Sequence, residues 1–283
     1  MQRTEEIKDF LVSRRAAITP EQAGLPNFGA HRRVKGLRRE EVAMLAGVSA
    51  EYYTKLERGS LGGASESVLS SLATALKLTY DERSYLFTLA RNQSGSKPIK
   101  RTASSLVLRP NLQQIIERIE LPVFVRNTRL DVLGLNPLGK ALFPWLIPVD
   151  GVPANTARYI FLNAESKEYF IDWHKAATDA VSLLRMQAAR DPYDRALTDL
   201  IGELSTLSAE FRQLWAKHSI GRSQVGQKRF NHPLVGALEL NYEVLTVAED
   251  PNLLMLIYSP VPGSIEVSKL QTLKSAAAQS KTA

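Results

Sequence analysis

The residues between Leu37 and Gly59 have the types and spacing to read a nucleic acid. Arg38 and Arg39 are placed to neutralise backbone phosphates, and Ser49, Glu51, Tyr52, Thr54 and Lys55 to meet base edges or nearby phosphates. Ala50 falls on the same face, and Arg58 closes the segment with another positive charge. Upstream, Arg32 and Arg33 are expected to lie along phosphates or reach a neighbouring minor groove. Glu57 suits an internal ion pair better, because its carboxylate would repel phosphate. Nothing comparable points to catalysis. With no cysteine, thiolate chemistry and disulfides are excluded, and the four histidines His31, His174, His218 and His232 lack metal-ligand spacing. Asp172, His174, Asp179, His218 and His232 supply acid and base groups without a catalytic spacing. Gly-rich phosphate loop, nucleophile elbow and HExxH are all missing. No enzyme, cofactor or metal site is therefore expected.

The elements that must hold those residues are two short helices and a sharp turn. Val42, Leu45 and Ala46 are expected to face a core from the first helix, and Ala43 is small where two helices would approach. Gly47 meets the need for a positive φ at the turn, and Val48 plugs the corner. Ser49 is placed to cap the second helix, and Tyr53 and Leu56 return to the core at three-residue spacing. That leaves Ala50, Glu51, Tyr52, Thr54 and Lys55 on the face that would enter a major groove. An ordinary helical hairpin also needs a glycine turn and an apolar seam. Agreement at Ala43, Gly47, Val48, Ser49 and Leu56, between basic flanks, favours a helix-turn-helix.

The chain has 283 residues, enough for two ordinary domains, and 44% are apolar, enough for a core in each. Its net charge of +7 is unevenly placed: residues 1–101 carry a balance of +6 and residues 102–283 only +1. Basic charge confined to one domain suits phosphate binding, although charge alone fits a solubility role equally well. The charged N-terminus lacks the apolar stretch of a secretion signal, and no apolar run approaches the roughly 20 residues of a membrane span. A soluble cytoplasmic protein is expected.

Residues 1–92 read as an all-α domain and residues 93–108, polar with Gly and Pro, as a linker. Residues 109–263 read as a second domain and 264–283 as a short C-terminal helix and frayed tail. In the second domain Pro110 starts a helix, Pro122–Arg126 and Leu130–Leu135 form a hairpin, and Asn136-Pro137 caps another helix. Residues 155–218 show helical periodicity, and strands return at 228–231, 237–247 and 253–258. Helices inserted between the second and third strands of an antiparallel sheet make an α+β fold.

A family resemblance rests on His31-Arg32-Arg33, Gly36–Ala43, Gly47-Val48-Ser49, Tyr52-Tyr53 and Leu56-Glu57-Arg58-Gly59. It continues through Val68-Leu69, Leu72-Ala73, Glu82-Arg83 and Leu89-Ala90-Arg91. These residues resemble the Xre-type helix-turn-helix regulators of the MmyB-like group. In the second half Asp191-Pro192, Leu214-Trp215, His218, Lys228-Arg229-Phe230, His232-Pro233 and Pro262-Gly263 carry the same likeness. The resemblance implies a transcription regulator binding double-stranded DNA, with a PAS-like C-terminal domain for a small ligand. Helix-turn-helix domains commonly read paired half-sites, so a homodimer is expected.

If there is a cavity, Trp145, Tyr159, Phe161, Phe170, Trp173 and Trp215 are the aromatics expected to line it, around an apolar ligand such as a fatty-acyl chain. Most of them are expected simply to be core residues, because aromatics dominate cores and large apolar cavities are uncommon. For His218 and His232 a hydrogen-bonded structural role stands beside a ligand-facing one. The alternative for this half is a protein-interaction or dimerisation module without a ligand.

Overall fold

The computed structural model describes residues 2–26, 34–94, 108–149, 151–221 and 224–279. The chain divides into two compact units. One comprises Met1–Lys100 with Ala188–Tyr193 and Ala216–Gly221, the other Arg101–Gln187 with Asp194–Trp215 and Arg222–Ala283.

The first unit contains helices α1 (Gln2–Ala17), α2 (Arg39–Ala46), α3 (Ala50–Glu57), α4 (Glu66–Ala75) and α5 (Tyr80–Gln93). Serine or threonine caps three of them. The Ser49 hydroxyl accepts from Tyr52 N at 3.1 Å, Ser65 from Val68 N at 3.3 Å, and Thr79 from Glu82 N at 3.3 Å. Glu82 reciprocates by accepting from Thr79 N at 2.8 Å, completing a capping box. Gly47 ends α2 at φ 67°, the left-handed value the turn requires. Ile7, Phe10, Leu11, Tyr53, Leu56, Leu61 and Leu86 are nearly or wholly buried. Each such side chain contributes about 1.5–3 kcal/mol of burial.

The second unit opens with α6 (Pro110–Glu117), β1 (Val123–Asn127), β2 (Val132–Leu135) and α7 (Pro137–Leu142). A short 3-10 turn, Pro144–Leu146, leads to α8 (Thr156–Leu162), α9 (Ser166–Tyr169), α10 (Trp173–Arg190), α11 (Arg195–Leu207) and α12 (Ala209–Ala216). The chain then returns through β3 (Val225–His232), β4 (Gly236–Val247) and β5 (Asp250–Ser259) to α13 (Ile265–Gln279). The five strands form one antiparallel sheet in the order β2-β1-β5-β4-β3. The expected short C-terminal helix is longer than its composition suggests, because Leu270 and Leu273 are buried and anchor it.

Strand alternation divides the sheet's two faces. Val123 and Val125 pack with Leu108, Leu112, Ile116 and Leu253 on one side. Phe124 and Arg126 point to the other, in register with Leu256 and Leu254 of β5. Tyr258 pairs with Tyr242, and Leu240 with Lys228, so Arg126 and Lys228 share that second face. Asn136 locks the hairpin to α7. Its Oδ1 accepts from Val123 N at 3.1 Å and Gly139 N at 2.7 Å, and its Nδ2 donates to Ile119 O and Leu121 O.

Candidate nucleic-acid interface and buried cavity

The site on the first unit is built around α3. Its buried side is Tyr53, Leu56 and Glu57. Glu51 and Lys55 are exposed, while Ala50, Tyr52 and Thr54 are half-buried, so the expected reading face is presented to solvent. A concavity beside the helix is lined by Arg39, Glu40, Ala50, Glu51, Thr54, Lys55, Arg58 and Ser60. A second is lined by Thr4, Tyr52, Lys55, Gly59, Ser60, Gly62, Gly63 and Gln93. Lys55 and Ser60 lie on both. Arg38 is exposed at the start of α2, and its N–H donates to Glu41 Oε2 at 2.6 Å. Arg32 and Arg33 lie outside the described residues.

Glu57 fixes the orientation of α3. It is 1% exposed, accepts from Arg15 Nε at 2.5 Å and from Tyr53 Oη at 3.0 Å, and also receives Arg39 Nε. Burial alone would push its carboxyl up, but the Arg15 and Arg39 guanidiniums outweigh that and hold it below the usual carboxylate range. Burial, and then the neighbouring Glu57 charge, push the Tyr53 phenol far up. Arg39 was expected on phosphate; its guanidinium is engaged by Glu57 while its side chain remains 51% exposed. Its placement therefore serves both the internal pair and the concavity.

Sequence reasoning missed the loop after α3. Gly59 adopts φ 97°, and a Cβ there would collide with the Thr4 backbone. Gln93 donates to Gly59 O at 2.6 Å and accepts from Leu61 N at 2.7 Å and Gly62 N at 3.0 Å. This clasp sets Ser60, Gly62 and Gly63 beside Lys55. Only the glycines could have marked it, and glycine clusters mark many loops.

In the second unit a cavity of about 50 Å³ lies against the sheet face that carries Arg126 and Lys228. Phe124, Phe143, Trp145, Thr156, Phe170, Asp179, Leu256 and Tyr258 are among its walls. Of the expected lining residues, Trp145 and Phe170 are there. Tyr159 instead stacks on Trp145, ring centroids 3.9 Å apart. Phe161 and Trp173 pack edge to face with one another, and Phe161 also with Phe211. Trp215 stacks on Phe211 beneath the Arg185 guanidinium. Of these three Phe161 is buried and Trp173 and Trp215 are half-buried, each packed on aromatic partners rather than on the cavity.

The histidines are also elsewhere. His232 Nε2 bonds Ala141 O at 2.9 Å and its Nδ1 accepts from Leu234 N at 3.2 Å, a structural role; burial lowers its pKa. His218 belongs to the first unit, where its ring is 3.5 Å from Asp9 and 3.9 Å from Glu6. No cluster of His, Cys, Asp or Glu able to hold a metal occurs among the described residues. Nor is any described helix long and apolar enough to cross a membrane.

A capped, exposed second helix after a left-handed glycine turn defines a DNA-binding protein of the helix-turn-helix class, and residues 14–86 match the helix-turn-helix domain family. Residues 108–273 match the MmyB-like transcription regulator ligand binding domain, and the chain belongs to that family. Both families are regulator and DNA-binding types rather than enzymes. The chain is accordingly a DNA-binding regulator with a ligand-binding domain. No curated protein matches it.

Proposed function

We propose that this chain is a cytoplasmic, non-enzymatic transcription regulator. As a homodimer it reads a paired operator, and a small molecule in the second unit alters its affinity for that DNA. The observation that carries the DNA half is the α3 face, Ala50, Glu51, Tyr52, Thr54 and Lys55, rigidly aimed by the buried Glu57. Lys55 and Arg58 contact phosphates, Tyr52 and Thr54 meet base edges, and Arg38 and Arg39 hold the backbone at the start of α2. The strand order β2-β1-β5-β4-β3, with helices between β2 and β3, supports a PAS-like reading of the second unit. Its ligand has an apolar body, as the aromatic walls suggest, and acts only by binding two arrangements of the regulator with different affinity.

The test is DNA binding by fluorescence anisotropy on fragments selected from a random duplex pool. Lys55→Ala should weaken binding by about 1 kcal/mol and reduce the salt slope by about one. Arg39→Ala should weaken it as well. Wild-type affinity and salt dependence in both variants would overturn the assignment of α3 as the reader.

A further inference from the structure

The two concavities beside α3 differ in the charge of their walls. In the first, Arg39, Lys55 and Arg58 stand with the carboxylates of Glu40 and Glu51. In the second, Lys55 is the one charged side chain among the described residues, and Thr4, Tyr52 and Ser60 bring hydroxyls. Base edges present donors and acceptors together, so a wall of both signs suits them. Phosphate oxygens only accept, and ammonium groups, hydroxyls and backbone N–H groups are the partners they commonly find. The second wall is of that kind.

This wall is set from α5. Gln93 follows Gly62 by 31 residues, yet its one side-chain amide holds three backbone groups of the loop after α3. Its Oε1 accepts from Leu61 N at 2.7 Å and Gly62 N at 3.0 Å, and its Nε2 donates to Gly59 O at 2.6 Å. Ser60 N is taken by Lys55 O at 3.2 Å, and Ala64 N by Leu61 O at 3.0 Å. Gly63 N–H is then the amide of the loop that no protein group takes among the described residues, and it lines the same concavity as Lys55. On its other side the loop meets the Thr4 backbone of α1, which leaves no space for a side chain at Gly59. The residue type at 93 also matters. A neutral amide grips the loop without bringing a negative charge to the wall, as a glutamate would.

Resting on the DNA-reading role proposed for α3, we infer that the second concavity seats one backbone phosphate of the duplex, on Lys55, the Tyr52 and Ser60 hydroxyls and Gly63 N–H, and that Gln93 is the residue that positions this seat. Gln93 acts through the loop it holds.

The test is fluorescence anisotropy of the full chain on one duplex that the wild type selects from a random pool. Each phosphate in turn is replaced by a neutral methylphosphonate. The seated phosphate is the position whose replacement weakens the wild type about fivefold and Gln93→Ala hardly at all. Gln93→Ala itself should bind about fivefold less tightly, with a salt slope lower by about one. Gln93→Glu keeps an acceptor for Leu61 N and Gly62 N, so it should melt no lower than Gln93→Ala in circular dichroism. Its carboxylate faces the seat, so it should nevertheless bind DNA less tightly than Gln93→Ala. A role confined to the fold would not give that order. Should Gln93→Ala fail to fold, Ser60→Ala replaces it in the phosphate scan and Gln93→Glu is ranked against the wild type. Wild-type affinity in folded Gln93→Ala, Gln93→Glu binding as tightly as Gln93→Ala, or no phosphate whose replacement distinguishes the variant from the wild type would each overturn the inference.

Arg39→Ala and Thr54→Ala, both outside the second concavity, separate this from the reading beneath it. If both weaken binding and no phosphate couples to Gln93, α3 keeps its role and the seat is removed. If both bind as the wild type does and the coupling is found, the seat stands and the reading face of α3 falls.

Discussion

Each unit buries a charge, and the two are treated in opposite ways. In the first, the Glu57 carboxylate is surrounded by donors from Arg15, Arg39 and Tyr53, drawn from three helices. In the second, the Arg126 guanidinium lies under aromatic walls with no carboxylate paired to it among the described residues. A buried charge with all its partners is a structural joint; one left short of partners is a place for something else to bind. Taking ions from water carries a penalty that only close partners offset, so the two sites should respond to mutation with opposite sign.

The largest effect is expected at the saturated site. Glu57→Ala strands Arg15 and the Tyr53 hydroxyl in the core and should cost about 3–5 kcal/mol in urea unfolding. A loss below about 1 kcal/mol, the usual value for an exposed pair, would mean that Glu57 is not the joint. At the unsaturated site, Arg126→Met should raise stability, by on the order of 1 kcal/mol, because it removes a charge the fold does not compensate. A loss resembling that of Glu57→Ala would break the contrast.

The smallest effect comes from pH. Burial, opposed only in part by Asp179, pushes the Lys228 ammonium down to about 8, against about 10.4 for a solvated lysine. Between those values the unfolded chain binds the proton and the folded chain does not. Stability from this group therefore rises as pH climbs through that window, and the penalty is complete below about 8. Melting followed from pH 7 to pH 10 should show the rise in the wild type and lose it in Lys228→Met. An identical profile in both would place the titration elsewhere.

The two sites also differed in how far they could be read in advance. The first was open to inspection because its rules are local: a left-handed turn wants Gly47, and an exposed amide wants the Ser49 hydroxyl. Even the internal role of Glu57 followed from its sign. The α+β order and the alternation of β4 were equally plain. Arg126 was hidden because it ends the run Val123-Phe124-Val125, where a cation reads as the point at which a strand meets water. Instead β1 is an interior strand buried along its whole length, a consequence of pairing with β2 on one side and β5 on the other. Lys228 was masked in the same way, lying in a strand with mostly exposed neighbours. Which aromatics line the cavity depends on how five helices pack, and periodicity cannot sort Trp145 from Trp215.

The Gln93 clasp bears on how the DNA-reading half should be handled as a separate fragment. Helix α5 ends at Gln93, one residue past the boundary that composition suggests at 92. Cutting there would discard the side chain that holds Gly59, Leu61 and Gly62, and the loop beside Lys55 would lose its tether. Ser94 adds a second tie, its hydroxyl donating to Gly62 O at 3.0 Å. A truncated fragment made for operator selection should therefore extend through Ser94, since a shorter one would report the specificity of a slackened loop.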